Sequence, residues 1–229
     1  MPVAVSALAH LSLLSDLPAA ELARLAGLAS ERSYARREVV FDKGEKGQHL
    51  CFLLEGRLQA VDFTVDGREV GLYFVDVGDY FGELSVIDGE PQAEYMIAVA
   101  KARVAFLPRH EARTLILSRP ELAEQVLMRV ARRLRAISAQ RTLLALPNPA
   151  QRICAQLAQL AAGGPLIAPV PTHQEIAIMI NTSRETVTRV FQVLQNRGIM
   201  RREGNQLHID DLAYLDSVAG GQTEPPKAG

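Results

Sequence analysis

Cysteine is scarce in this chain, with two residues, Cys51 and Cys154, far apart in the sequence. That scarcity excludes a disulfide framework. Neither cysteine stands in a metal-ligand spacing, which argues against zinc and iron–sulfur sites. Both are expected to be small buried apolar residues. No apolar run approaches the roughly 20 residues needed to span a membrane. The stretch from Met1 to Ser15 is mildly apolar, but no basic flank precedes it and His10 interrupts it. No signal peptide is read there, and the expected location is the cytoplasm. No Ser/His/Asp arrangement, metal-ligand set or P-loop is visible, and the five histidines are scattered. An enzyme is therefore not expected, and no catalytic or metal-ligating residue is assigned. A formal net charge of −1 leaves no whole-chain footprint for nucleic acid, so any DNA binding must come from a local surface.

What is present divides along the chain. The 229 residues, 48% of them hydrophobic, suffice for one large domain or two modest ones. Residues 5 to 30 read as short helices, with Leu14, Leu17, Leu22, Leu25 and Leu28 near helical spacing and Pro18 suited to a helix start. From Ala35 to Pro108, short apolar stretches alternate with turn signals, among them Glu55-Gly56, Asp66-Gly67 and Asp88-Gly89. That pattern predicts an all-β roll or sandwich, with Asp66-Gly67 at a hairpin.

From Arg119 to about Ala145 the period becomes helical. Leu127, Val130, Leu134, Ile137 and Leu144 share one face, a coiled-coil-like seam, while Arg129, Arg132, Arg133, Arg135 and Arg141 occupy the rest. The seam reads as a dimer contact, or else as packing on the helix's own β domain. Pro147-Asn148-Pro149 stops the helix and forms a hinge. A fresh helix over 150–162 follows, with Ile153, Leu157 and Leu160 inward. After Gln222 a Pro-Pro pair and glycines read as a disordered tail. The expected divisions are a β-rich domain with N-terminal helices over 1–118, a long dimerisation helix over 119–146, a further domain over 147–218 and a tail over 219–229.

The sharpest signal runs from Thr172 to Phe191. Thr172 with Glu175 is a capping box that opens a short helix. Asn181 tolerates the left-handed backbone of a sharp turn, and Thr182 or Ser183 can cap a second helix. Small Ala177 lets the two helices approach closely. On the second helix Val187, Val190, Phe191 and Leu194 cluster on one side, and Arg184, Glu185, Thr188, Arg189 and Gln192 on the other. Arginine pairs bidentately with guanine O6 and N7, and glutamate accepts from cytosine N4. The N-terminal end of such a helix is the end that enters the major groove. The run from Arg197 to Ile209 then reads as a C-cap and a hairpin turning at Gly204-Asn205, which makes the whole a winged helix. Arg201 and Arg202 are placed there to meet phosphates.

On these residues the chain resembles the cyclic-AMP receptor protein/FNR family of bacterial transcription regulators, over about residues 14 to 216. Ser183-Arg184-Glu185-Thr186-Val187 followed by Arg189 is similar, without a gap, to the family's recognition helix. The resemblance implies an α+β fold: an N-terminal cyclic-nucleotide-binding-like β-roll, a long dimerisation helix and a C-terminal winged helix-turn-helix. It implies that Arg184, Glu185 and Arg189 read bases in a TGTGA-like half-site, and that Thr172, Gln174, Ser183 and Thr186 meet backbone phosphates. It implies a homodimer on a palindrome, with Leu127, Val130, Leu134 and Ile137 in the seam, and RNA polymerase as a further partner.

The resemblance reaches the sensor too. Phe81-Gly82-Glu83-Leu84-Ser85 is similar to the start of the family's phosphate-binding cassette, in which Glu83 would bind a ribose hydroxyl. The cassette should then supply an arginine and a Ser or Thr for the phosphate, but Gln92 and Ala93 stand there, followed by Glu94. The missing charge-assisted contact costs roughly 1.5 to 3 kcal/mol. The family's Thr–Ser pair for the adenine is here Ile137-Ser138. Three sensor readings stay open. Cyclic di-GMP, the favoured one, binds here or elsewhere; cyclic AMP binds in an altered pose; or the pocket holds another small molecule or nothing. No cofactor is required. The rival class is a cyclic-nucleotide-binding regulatory module that acts through protein partners rather than DNA.

Overall fold

The computed structural model describes residues 3–67 and 69–226. Contacts divide the chain into two compact units, the first ending at Arg133 and the second beginning at Leu134.

The first unit opens with α1 (Val5–Ala9) and α2 (Ala19–Leu28), the latter starting just after Pro18 and burying Leu22 and Leu25. Strands β1 (Ser30–Tyr34), β2 (Val39–Phe41), β3 (His49–Glu55), β4 (Leu58–Phe63), β5 (Glu69–Val75) and β6 (Tyr80–Phe81) precede a short α3 (Glu83–Asp88). Strands β7 (Tyr95–Ala98) and β8 (Ala102–Pro108), then α4 (Arg109–Ser118), lead into the long α5 (Pro120–Leu144). Two antiparallel sheets form, in the orders β1-β8-β3-β6 and β2-β7-β4-β5. The expected hairpin joins β4 to β5, and Gly67 supplies a left-handed φ of 78° at its turn.

Strand β3 shows why this unit has two cores. Successive side chains of a strand face opposite ways. Cys51 and Leu53 enter the core between the two sheets, beside Leu58, Phe81 and Met96. Leu50 and Phe52 enter a second core, under α2, α4 and the start of α5, with Leu25, Leu115 and Val126. Helix α4 was not foreseen between the β-rich stretch and the long helix. Its Ala112, Leu115 and Ile116 are buried at helical spacing.

In the second unit, α6 (Pro149–Leu160) is capped by Asn148, whose side chain accepts from the Ala150 amide at 2.8 Å. After β9 (Leu166–Ile167) come α7 (His173–Met179) and α8 (Arg184–Asn196), then β10 (Met200–Glu203), β11 (Gln206–Ile209) and α9 (Leu212–Ala219). The sheet order is β10-β11-β9. Ile153, Leu157, Ile176, Val190, Phe191 and Leu207 share one core with Leu143 of α5. The segment read as a tail begins at the end of α9. The Ser217 hydroxyl lies 2.9 Å from that of Thr223, and Pro226 is buried. Residues 227–229 lie outside the described residues.

Candidate DNA-reading face and sensor pocket

The second unit builds its candidate reading face from local hydrogen bonds. Thr172 Oγ1 accepts from the Glu175 amide at 3.2 Å, and Glu175 Oε2 accepts from the Thr172 amide at 2.6 Å, closing the capping box. Asn181 takes a φ of 51°, the left-handed turn between the helices. Of the two residues able to cap α8, Ser183 does so, accepting from the Thr186 amide at 3.1 Å. Its hydroxyl also lies 3.0 Å from that of Thr186. Val187, Val190, Phe191 and Leu194 are buried, and Ala177 is buried beneath them in α7.

Arg184, Glu185 and Arg189 are therefore brought together on the exposed side of the first turns of α8. Hydrogen bonds from the Glu185 amide and the Ser183 hydroxyl hold the Glu185 carboxyl below its ordinary range, helped by the charges of Arg184 and Arg189. Gln174 is exposed on α7. In the wing the two arginines differ. Arg201 is engaged by two acids, Glu203 at 2.5 Å and Asp210 at 3.2 Å. Arg202 bonds only the Gly204 carbonyl, at 3.1 Å, and has no acidic partner among the described residues. Sequence reading treated the pair alike, although Glu203 stands two residues along the same strand, on the side that Arg201 faces, and Asp210 follows β11.

The first unit holds the stretch read as a phosphate-binding cassette. Gly82 adopts a φ of 80° at the start of α3, and a Cβ there would lie 3.1 Å from the His49 carbonyl oxygen. Glu83 is fully buried, and its Oε1 lies 2.8 Å from Arg133 Nη1. Its Oε2 is buried with no hydrogen-bond partner. The Arg133 guanidinium lies 3.7 Å from the centroid of the Tyr73 ring. The Tyr73 hydroxyl in turn donates to Glu94, and burial pushes its phenol well above the usual value. Ser85 donates to Gln92 Oε1 at 3.3 Å. The loop closes tightly over that pair, since a Cβ on Gly47 would come 2.1 Å from Ser85 Cβ.

The structure thus gathers Gly82, Ser85 and Gln92, and sets Glu83 against α5. Leu84 is half-buried and Ala93 exposed. Ile137 and Ser138 stand in the second unit, both exposed, and the Ser138 hydroxyl bonds back to the Leu134 carbonyl at 3.0 Å. Two of the α5 arginines placed outside the seam turn onto the roll. Arg133 meets Glu83. Arg129 reaches Asp79 at 3.0 Å and the Tyr80 carbonyl at 2.6 Å. Their place four residues apart on one helix face was the available signal.

The comparisons with known proteins agree with this geometry. The cyclic nucleotide-binding domain model matches residues 31–119, and the Crp-like helix-turn-helix domain model matches residues 151–218. The CRP-like cAMP-activated global transcriptional regulator of Mycobacterium tuberculosis is 33% identical over 189 residues, 80% of this chain and 84% of that protein. A CRP-family transcriptional regulator from Thermus thermophilus superposes with a TM-score of 0.59 at 28% identity, covering 86% of this chain and 100% of the other. FixK2 from Bradyrhizobium japonicum shares the fold, with a TM-score of 0.68 at 20% identity over 83% of this chain and 96% of that one. With both domain types matched in order and a reading helix exposed, the chain belongs to the CRP/FNR family of DNA-binding transcriptional regulators.

Proposed function

We propose that the protein reads a palindrome of TGTGA-like half-sites as a homodimer, under the control of a nucleotide effector. The observation that carries the reading is the outward cluster of Arg184, Glu185 and Arg189 at the N-terminal end of α8. Base contacts choose sequence, and phosphate contacts set register. Arg184 is assigned to a guanine, Glu185 to a cytosine and Arg189 to a second base edge. Thr172, Gln174, Ser183 and Thr186 are assigned to the phosphates beside them. Arg202 is the stronger wing candidate, because Arg201 must give up two carboxylates to reach DNA.

In an electrophoretic shift, Arg184→Ala is expected to weaken binding to an inverted TGTGA duplex by about tenfold to a hundredfold. It should weaken an unrelated duplex of equal length far less. Equal losses on both would make Arg184 a phosphate contact and overturn its reading role. A rival in which the chain acts through protein partners alone predicts no effect of Arg184 in either assay.

For the effector, we favour cyclic di-GMP over cyclic AMP. The orphaned Glu83 Oε2 suits a ribose hydroxyl, which can donate to it. The cassette meanwhile offers a single cyclic phosphate a neutral Gln92 bound to Ser85, with Glu94 nearby, in place of a cation. The name of the Mycobacterium tuberculosis relative supports cyclic AMP as the second reading. Calorimetry with each nucleotide, followed by DNA titration, separates them. The favoured outcome is micromolar binding of cyclic di-GMP that changes DNA affinity, because an effector shifts the two states only by its differential affinity for them. Heat from cyclic AMP alone overturns the preference. Heat from neither, with tight unliganded DNA binding, overturns nucleotide control.

A further inference from the structure

His173 is the first residue of α7, and its side chain bridges to the recognition helix. Nδ1 lies 2.8 Å from Thr188 Oγ1, and the ring centroid lies 4.6 Å from that of Phe191. Thr188 gives its own hydroxyl proton to the Arg184 carbonyl at 2.9 Å. A hydroxyl has one proton to donate. Thr188 Oγ1 therefore accepts from His173, and Nδ1 carries the proton of the neutral ring. Nε2 of that tautomer keeps a lone pair, which cannot bond a phosphate oxygen.

The charged groups acting on the ring are both cations, Arg184 from α8 and Arg202 from β10. The carboxylate on the same helix, Glu175, is turned back to the Thr172 amide. Burial, then Arg202 and Arg184, hold the imidazole below its usual value in the free protein. DNA reverses these influences. A phosphate met by Arg202 offsets that cation, and the backbone phosphates place negative charge beside the ring, where an opposite charge within a few ångströms favours the charged imidazolium.

We propose that His173 is a proton-linked DNA contact: neutral in the free protein, it takes up a proton as DNA docks, and its Nε2–H then donates to a backbone phosphate. The proposal rests on α8 being the face that meets DNA. The sign of the linkage follows. The complex binds more protons than the free protein, so affinity rises as pH falls through the bound-state pKa. The rise levels off below the free-state pKa. Between pH 8 and 6.5 the gain is expected to be about threefold to tenfold per protomer, since one unit of pKa difference corresponds to tenfold in affinity.

The test is calorimetric titration of the full-length protein with an inverted TGTGA duplex and with an unrelated duplex, in buffers of different ionisation heat. Wild type should take up protons on both duplexes, because both carry phosphates. H173R, permanently charged, should bind with a flatter pH profile and tighter at pH 8. H173Q should bind more weakly, with an equally flat profile. The other four histidines remain in both variants, so the difference from wild type isolates His173. Equal uptake by wild type and H173R overturns the inference. Uptake without any preference for TGTGA overturns the sequence assignment and leaves His173 standing. If neither variant folds, NMR titration of the wild-type His173 ring decides, with a bound-state pKa above the free one expected and equality overturning it.

Discussion

Replacing Arg133 with alanine is expected to destabilise the sensor unit by about 3–5 kcal/mol, the usual cost of stranding one member of a buried ion pair. Glu83 has no exposed side-chain surface, and Arg133 keeps only 14% of its own. Once the guanidinium is gone, neither Glu83 oxygen has a partner, and Tyr73 loses the cation over its ring. Urea unfolding followed by tyrosine fluorescence reads this unit well, since Tyr34, Tyr73, Tyr80 and Tyr95 of the five tyrosines lie in it. The double substitution Arg133→Met with Glu83→Leu removes both charges and should recover most of the loss. If the double variant is no more stable than Arg133→Ala, lost packing, not a stranded charge, is the cause.

Ile137→Asp is expected to abolish self-association and, with it, specific DNA binding. Leu127, Leu134 and Ile137 of α5 are 69%, 65% and 53% exposed, a run of large apolar side chains at heptad-like spacing that nothing among the described residues covers. Val130, placed in the same seam from sequence, is half-buried and packs against the helical core of the first unit. Leu144 packs into the core of the second. The candidate contact is therefore narrower than the heptad pattern alone implied. A carboxylate at its centre would face its own copy across a dry surface, where desolvation and like-charge repulsion act together. Sedimentation should report a monomer, and the electrophoretic shift on the palindrome should vanish. A stable dimer with unchanged affinity would sink the assignment.

Much of the second unit was legible because its signals are local. The capping box at Thr172 and Glu175, the left-handed Asn181, the Ser183 cap and the Gly204-Asn205 hairpin each need only residues a few places apart. The β-roll was legible as texture, through its turns. What escaped depends on distant partners. An arginine on a helix reads as solvated until a fold brings an acid to it. Arg133 finds Glu83 fifty positions away, and Arg129 finds Asp79 at the same remove. Helix α4 was missed because its apolar positions follow directly on Pro108 and run to the edge of the stronger pattern beginning at Arg119. The cassette departures at Gln92 and Ala93 were visible as letters. That Gln92 would fold onto Ser85 was not, since Gly47 from another loop makes room for the pair.

Both thiols lie inside hydrophobic cores, Cys51 between the sheets of the roll and Cys154 beneath the winged helix. Burial pushes the Cys154 thiol up to about 12, and that of Cys51 higher still. Peroxide attack and mixed-disulfide exchange proceed through the thiolate, which neither site supplies near neutral pH. The promoter response of this regulator is therefore expected to be deaf to oxidative stress: its target genes should hold the same expression through a peroxide pulse unless the effector itself changes.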